Sequence, residues 1–182
     1  MLKRFFILAL ALSSAAVITA SLSLADDTSG NQPSGFRADF EQPVQILADN
    51  DLLDLQQSIY RATGNVRINQ GSLRITADEL EVTGFDSRGE EPEIFSLRGA
   101  PATYQQEIEP GLVVNAQAAS ILYDSTGGIL TLQGAAELRQ DGSLVRAERI
   151  VYNIETQQVT SDRGEEQVET IFRPRPRQQN QP

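Results

Sequence analysis

Residues Ile59–Gln70 read IYRATGNVRINQ, and close copies follow: IFSLRGAPATYQ at 94–105, ILTLQGAAELRQ at Ile129–Gln140 and, more loosely, VTSDRGEEQVET at 159–170. Each copy has glycine at its sixth position: Gly64, Gly99, Gly134 and Gly164. The first three glycines are 35 positions apart and the last interval is 30. A fixed period in this range marks a repeat architecture. No unit of such an array buries its apolar side alone; stacked neighbours supply the core.

Inside the copies the apolar period is two. Val66 and Ile68 alternate with Asn65, Arg67 and Asn69; Leu73 and Ile75 with Arg74 and Thr76; Leu80 and Val82 with Glu79, Glu81 and Thr83. This is the half-buried strand pattern. Polar turn sequences such as Gln70-Gly71-Ser72 and Asp141-Gly142-Ser143 separate the runs. Residues 116–122 are helix-prone by composition, but the repeat aligns them with strand. A glycine recurring inside successive strands reads as a bend. The sheet then folds over at a corner and gives two facing sheets, or a flattened tube, with one apolar lining. A shift of 70 brings Val44 onto Val114, Leu52 onto Leu122 and Gly64 onto Gly134, so two similar halves hold four sub-repeats. The expected class is all-β: an elongated, antiparallel, solenoid-like fold with internal repeats and open edge strands.

Residues 1–25 read as a cleaved signal peptide: Lys3-Arg4, an apolar run from Phe5 to Ala20, and the small-x-small site Ser23-Leu24-Ala25. An uncleaved membrane anchor is the alternative. Residues 26–39 read as a flexible leader, 40–172 as the folded domain, and the Arg-Pro stretch 173–182 as a disordered tail. The expected location is the periplasm.

The chain has no Cys, His or Trp, and its one Lys is Lys3. That composition leaves no Ser-His-Asp or Cys-His site, no ordinary zinc site and no Schiff base. Only a carboxylate pair of the glycosidase type remains. Asp49-Asn50-Asp51, Asp78-Glu79 and Glu165-Glu166 are acidic, but they alternate with apolar residues or sit in turns, the pattern of a solvated face. Neither catalysis, a metal nor a cofactor is expected. Without the signal the chain carries 13 basic against 25 acidic residues, which argues against nucleic acid as a partner.

The ordered set Gln42-Pro43-Val44-Gln45-Ile46, Thr63-Gly64-Asn65-Val66, Gln70-Gly71, Ala77-Asp78, Gly99-Ala100-Pro101-Ala102-Thr103 and Leu132-Gln133-Gly134-Ala135 resembles the OstA-like family of periplasmic lipopolysaccharide transport proteins, the LptA group. The resemblance runs from about residue 40 to 172. It implies an antiparallel β-jellyroll open at both ends, whose interior carries lipid A acyl chains. It also implies head-to-tail self-assembly into a bridge between an LptC-like inner-membrane partner and an LptD-like outer-membrane partner. An LptC-like anchored component, or a structural β-solenoid adaptor without cargo, is the alternative reading.

Parity and repeat give the inward set: Val44, Ile46, Leu53, Leu55, Val66, Ile68, Leu73, Ile75, Leu80, Val82, Ala102, Tyr104, Val114, Tyr123, Leu130, Leu132, Leu138, Ile150 and Tyr152. These residues fill an ordinary core or line an acyl-chain groove; the resemblance favours the groove. The ends are expected to be open edge strands, with Pro43, Val44, Gln45 and Ile46 at one and Val168, Thr170, Ile171 and Phe172 at the other. Unpaired backbone groups there suit strand addition by a partner of the same fold.

Overall fold

Ile59–Gln70 and Ile129–Gln140 are each one unbroken strand. The computed structural model describes residues 36–85 and 92–173, all within one structural unit, Gln32–Pro182. The signal peptide, most of the leader, the tail beyond residue 173 and the loop at 86–91 lie outside the described residues.

One short helix, α1 (Phe36–Asp39), precedes ten strands: β1 (Gln45–Leu47), β2 (Asn50–Asp54), β3 (Ile59–Gln70), β4 (Leu73–Thr83), β5 (Ile94–Glu109), β6 (Leu112–Asp124), β7 (Ile129–Gln140), β8 (Ser143–Asn153), β9 (Gln158–Asp162) and β10 (Glu169–Ile171). The leader expected through residue 39 thus ends in a helix that packs on the sheet, with Phe36 and Asp39 buried. The helix-prone 116–122 segment is strand, inside β6.

The strands form one antiparallel sheet in the order β1-β3-β4-β5-β6-β7-β8-β10, with β2 added to β3 and β9 to β8. Every long strand breaks register at the same level: Thr63/Val66 in β3, Thr76/Glu79 in β4, Arg98/Ala102 in β5, Gln117/Ser120 in β6, Gln133/Ala136 in β7 and, opposite that, Ala147/Arg149 in β8. The aligned breaks form a crease that folds the sheet into two leaves, and the fold is a β-jellyroll. β1 and β10 close the first leaf, and β2 and β9 the second.

Glycine makes the crease in β3 and β7. Gly64 and Gly134 have φ of 79° and 82°, the left-handed region where a Cβ is costly. A Cβ on Gly134 would stand 2.9 Å from the Cβ of Ala119. In β5 the crease runs through Gly99-Ala100-Pro101, with a cis Ala100–Pro101 bond. The loose fourth copy is not continuous: β9 ends at Asp162, and Gly164 stands in the gap before β10.

Where the leaves meet at the crease, side chains are small: Ala62, Ala77, Ala102, Ala118 and Ala136, all buried. Further out come Ile68 beside Ile75, and Leu97-Ile121-Leu132-Ile150 in one cross-strand row. At the free margins stand polar-tipped residues, with Gln70, Gln106 and Gln140 on the first leaf and Tyr60, Tyr123 and Tyr152 on the second.

Candidate functional site

The interior between the leaves is the candidate site. Val66, Ile68, Leu73, Ile75, Ala102, Tyr104, Val114 and Leu138 face it from the first leaf, and Leu80, Val82, Tyr123, Leu130, Leu132, Ile150 and Tyr152 from the second, all buried. Ile46 is half-buried and packs on the core. Three residues expected inside are not. Val44, Leu53 and Leu55 are 42%, 52% and 65% exposed. Leu53 has the right parity, since it lies opposite Tyr60, but β2 is a terminal strand and nothing packs over it. Val44 precedes β1 at the same open end. Leu55 falls in the turn after β2, where strand parity no longer sets direction.

Sequence reading missed Phe95, Leu97 and Ile121, which are fully buried. The signal was present: Phe95 and Leu97 occupy the repeat positions of Leu130 and Leu132. It also missed Gln106, which continues the inward parity of Ala102 and Tyr104, and Asp39 and Ser72, for which the pattern gave no sign.

The rim of the interior carries most of its polar chemistry. Tyr104 and Tyr123 meet edge to face across the two leaves, centroids 5.5 Å apart. Burial pushes both phenols well above the usual tyrosine range. Burial, with the Glu109 charge nearby, pushes Tyr152 up to about 12 despite its hydrogen bond with Gln140. All three therefore stay neutral at physiological pH. The margins are joined by side chains. The Gln140 amide donates to Gln157 Oε1 (3.0 Å) and the Gln157 amide to Glu109 Oε1 (2.7 Å). Among the described backbone–backbone bonds, none joins the two margins directly. The line opposite the crease is thus a seam held by side chains.

The two open ends expose apolar residues: Val44, Leu47, Leu52, Leu53 and Leu55 at the first, Val159, Ile171 and Phe172 at the second. The expected edge strands are shorter than drawn, since Pro43 and Val44 lie outside β1, and Val168 and Phe172 outside β10. Gln45, Ile46, Thr170 and Ile171 are strand. The ends differ at the crease. At the first end Asp49 fills the corner, its N–H on Gly64 O (2.9 Å) and its carboxylate accepting from Asn65 Nδ2 (2.8 Å). At the second, the gap between β9 and β10 leaves a cavity of about 950 Å³ beside Ala136, Ala147, Gly164, Glu165 and Glu166.

Strand β10 is tied to the sheet through Glu137. Arg139 Nε and Arg146 Nε reach its carboxylate at 2.5 and 2.8 Å, and Arg146 also holds Glu169 of β10 at 2.8 Å. Burial alone would raise the Glu137 carboxyl, but the hydrogen bonds from Arg146 and Arg139 outweigh it and hold the carboxyl below its ordinary value of 4.5. A depressed acid stabilises the fold fully above its unfolded pKa and loses that contribution as pH falls through the folded value. Amide exchange in β10 should therefore speed up selectively as pH drops below 4.5, after correction for intrinsic rates. In Glu137→Gln it should be fast already at pH 7.

A family described as LptA/(LptD N-terminal domain) LPS transport protein matches residues 45–158. The lipopolysaccharide export system protein LptA of Haemophilus influenzae is 33% identical over 142 residues, 78% of this chain and 83% of that protein. LptA of Escherichia coli K12 is 34% identical over 139 residues, 75% of this chain and 74% of that protein. LptH of Pseudomonas aeruginosa is 32% identical over 139 residues, 76% and 78% of the respective chains. The crystal structure of LptH, described as the LptA-homologous periplasmic component of the lipopolysaccharide transport device, superposes with a TM-score of 0.68 at 26% identity. The superposition covers 78% of this chain and 100% of that one.

Proposed function

This chain belongs to the family of LptA and LptD N-terminal-domain lipopolysaccharide transport proteins, and from that premise we propose how it works: as a periplasmic carrier, it holds lipopolysaccharide by the acyl chains between its two leaves and passes it toward the outer membrane. The observation that carries the mechanism is the gradient across the interior. Alanines at the crease, aliphatics in the middle and Tyr or Gln at the margins match a molecule that is apolar at one end and polar at the other. Each acyl CH₂ buried there contributes about 0.8 kcal/mol. The interior side chains are buried against one another, so cargo enters by parting the leaves along the seam, where only side-chain clasps must yield. A carrier role without catalysis accords with its relatives, which are lipopolysaccharide export proteins.

The test is a photo-crosslinking residue at Tyr104, with Arg67 on the outer face as control. Capture of lipopolysaccharide in cells at Tyr104 but not at Arg67 is expected; equal capture at both would sink the groove.

Both ends are proposed as docking edges, for an LptC-like partner on the inner-membrane side, an LptD-like partner on the outer-membrane side, and a second copy head to tail. In an antiparallel edge strand successive N–H groups point alternately toward the sheet and away from it. Proline at Thr170 or at Ile171 removes one donor each, and one of the two points outward. One of the single variants should keep its melting temperature yet lose self-association in light scattering. A self-contact brings Asp49 and Asp51 against Glu165 and Glu166, so the parent's association should strengthen with salt, which screens like charges. Association in both proline variants equal to the parent's would exclude this edge.

A further inference from the structure

The carboxylate of Asp39 is buried at the margin of the first leaf with no cationic partner among the described ion pairs. Hydrogen-bond donors alone hold it. Its Oδ1 accepts the Ser72 N–H at 2.7 Å, and its Oδ2 accepts the Ser72 hydroxyl at 2.6 Å and the Gln106 amide at 2.7 Å. The backbone is shaped for the approach: Gly71 has φ of 54°, and a Cβ there would overlap the carboxylate. Gln106 is fully buried, and its orientation is fixed because Tyr104 donates to its Oε1, so the amide N–H groups point at Asp39. Arg74 lies on the far side of the same turn, its guanidinium on Gly71 O at 2.6 Å. The neighbouring Glu107 carboxylate is turned away, onto the Gly111 N–H at 2.7 Å.

Three donors converging on one oxyanion form a binding site for that class of group, whichever molecule supplies it. Here α1 supplies it. The helix has four residues; besides Asp39 it is held by Phe36, buried in the core beside Gly128 and edge to face with Phe40, and by the Arg37–Glu155 ion pair, exposed on both sides. Because Glu155 and Gly128 belong to the second margin while Ser72 and Gln106 belong to the first, α1 straddles the seam. Parting the leaves must detach it from one side.

We propose that the Ser72–Gln106 cradle is an oxyanion site for a phosphate monoester on the cargo, and that Asp39 occupies it as a built-in substitute when the carrier is empty. The inference rests on the carrier reading above and adds recognition of a charged group at the seam. Acyl chains sit between the leaves; the phosphate at their polar end replaces Asp39, and α1 lifts. Tyr104 couples the two regions, since it faces the interior and also fixes Gln106.

The test uses the mature chain, an acylated glucosamine disaccharide phosphate, the same lipid without phosphate, and inorganic phosphate. Asp39→Ala empties the cradle but keeps its donors. Calorimetry should show about tenfold tighter binding of the phosphorylated lipid, the worth of one charge-assisted hydrogen bond, with the dephosphorylated lipid unchanged. Adding Ser72→Ala should abolish the gain. Inorganic phosphate alone should raise the melting temperature of Asp39→Ala but not that of the double variant. This arm reads the cradle even if no lipid binds, so failure of the carrier reading is told apart from failure of the cradle. Equal gains for both lipids, or no gain together with no response to inorganic phosphate, would overturn the proposal and leave Asp39 as a clasp. A response to inorganic phosphate without any gain for the phosphorylated lipid would overturn the cargo assignment.

Discussion

Ile68→Glu should cost the fold about 3–5 kcal/mol, the scale of an uncompensated buried charge. Ile68 is 1% exposed, between Ile46 and Ile75 in register, and the hydroxyl of Tyr104, next in the row beyond Ile75, already donates to Gln106. Burial raises the pKa of such a carboxyl, so the loss should shrink at low pH, where it is protonated, and grow as pH rises. Arg67→Glu, one residue along and exposed beside Thr76, should stay within about 0.5 kcal/mol of the parent. Urea melts at pH 5 and pH 8 decide the matter. If Ile68→Glu melts like the parent at both, the interior is wet when empty, and cargo need not force the leaves apart.

The crease gives a second pair of expected results, of opposite sign at adjacent residues. Gly134→Val places a β-branched side chain in the left-handed region, at roughly 1–2 kcal/mol for the backbone, and drives its Cβ toward that of Ala119. The total loss should exceed the backbone figure alone. Ala135 already has φ of 48° with a Cβ in place. Ala135→Gly should stabilise, by up to about 1 kcal/mol. The residue equivalent to Ala135 in β3 is Asn65, a type that tolerates this conformation. Thermal melts of the two variants should move in opposite directions; a shift of both the same way would contradict the crease geometry.

The strands and the crease were legible in the sequence because both are local. Period two sets which side chain faces in, and a glycine at a fixed place in each repeat sets the bend. The repeat even overruled helix propensity at residues 116–122. Parity failed where it ceased to apply. Leu53 points inward but has no neighbour beyond it, and Leu55 has left the strand. Burial depends on what lies across the end, and no repeat reports that. Asp39 was illegible for a different reason. Its partners Ser72 and Gln106 lie 33 and 67 positions away. A single Asp in a polar leader carries no mark of burial; only the fold brings the donors to it.

From β3 to β8 each strand pairs with the one next to it in the chain, and no segment crosses over. Folding can therefore nucleate at any hairpin and propagate outward to its neighbours. The same succession makes length a free variable. A further 70-residue block, spliced at a turn, would add two long hairpins in phase with their neighbours and leave both termini of the array unchanged. How far one molecule reaches is then a matter of gene duplication, separate from how its ends choose their neighbours.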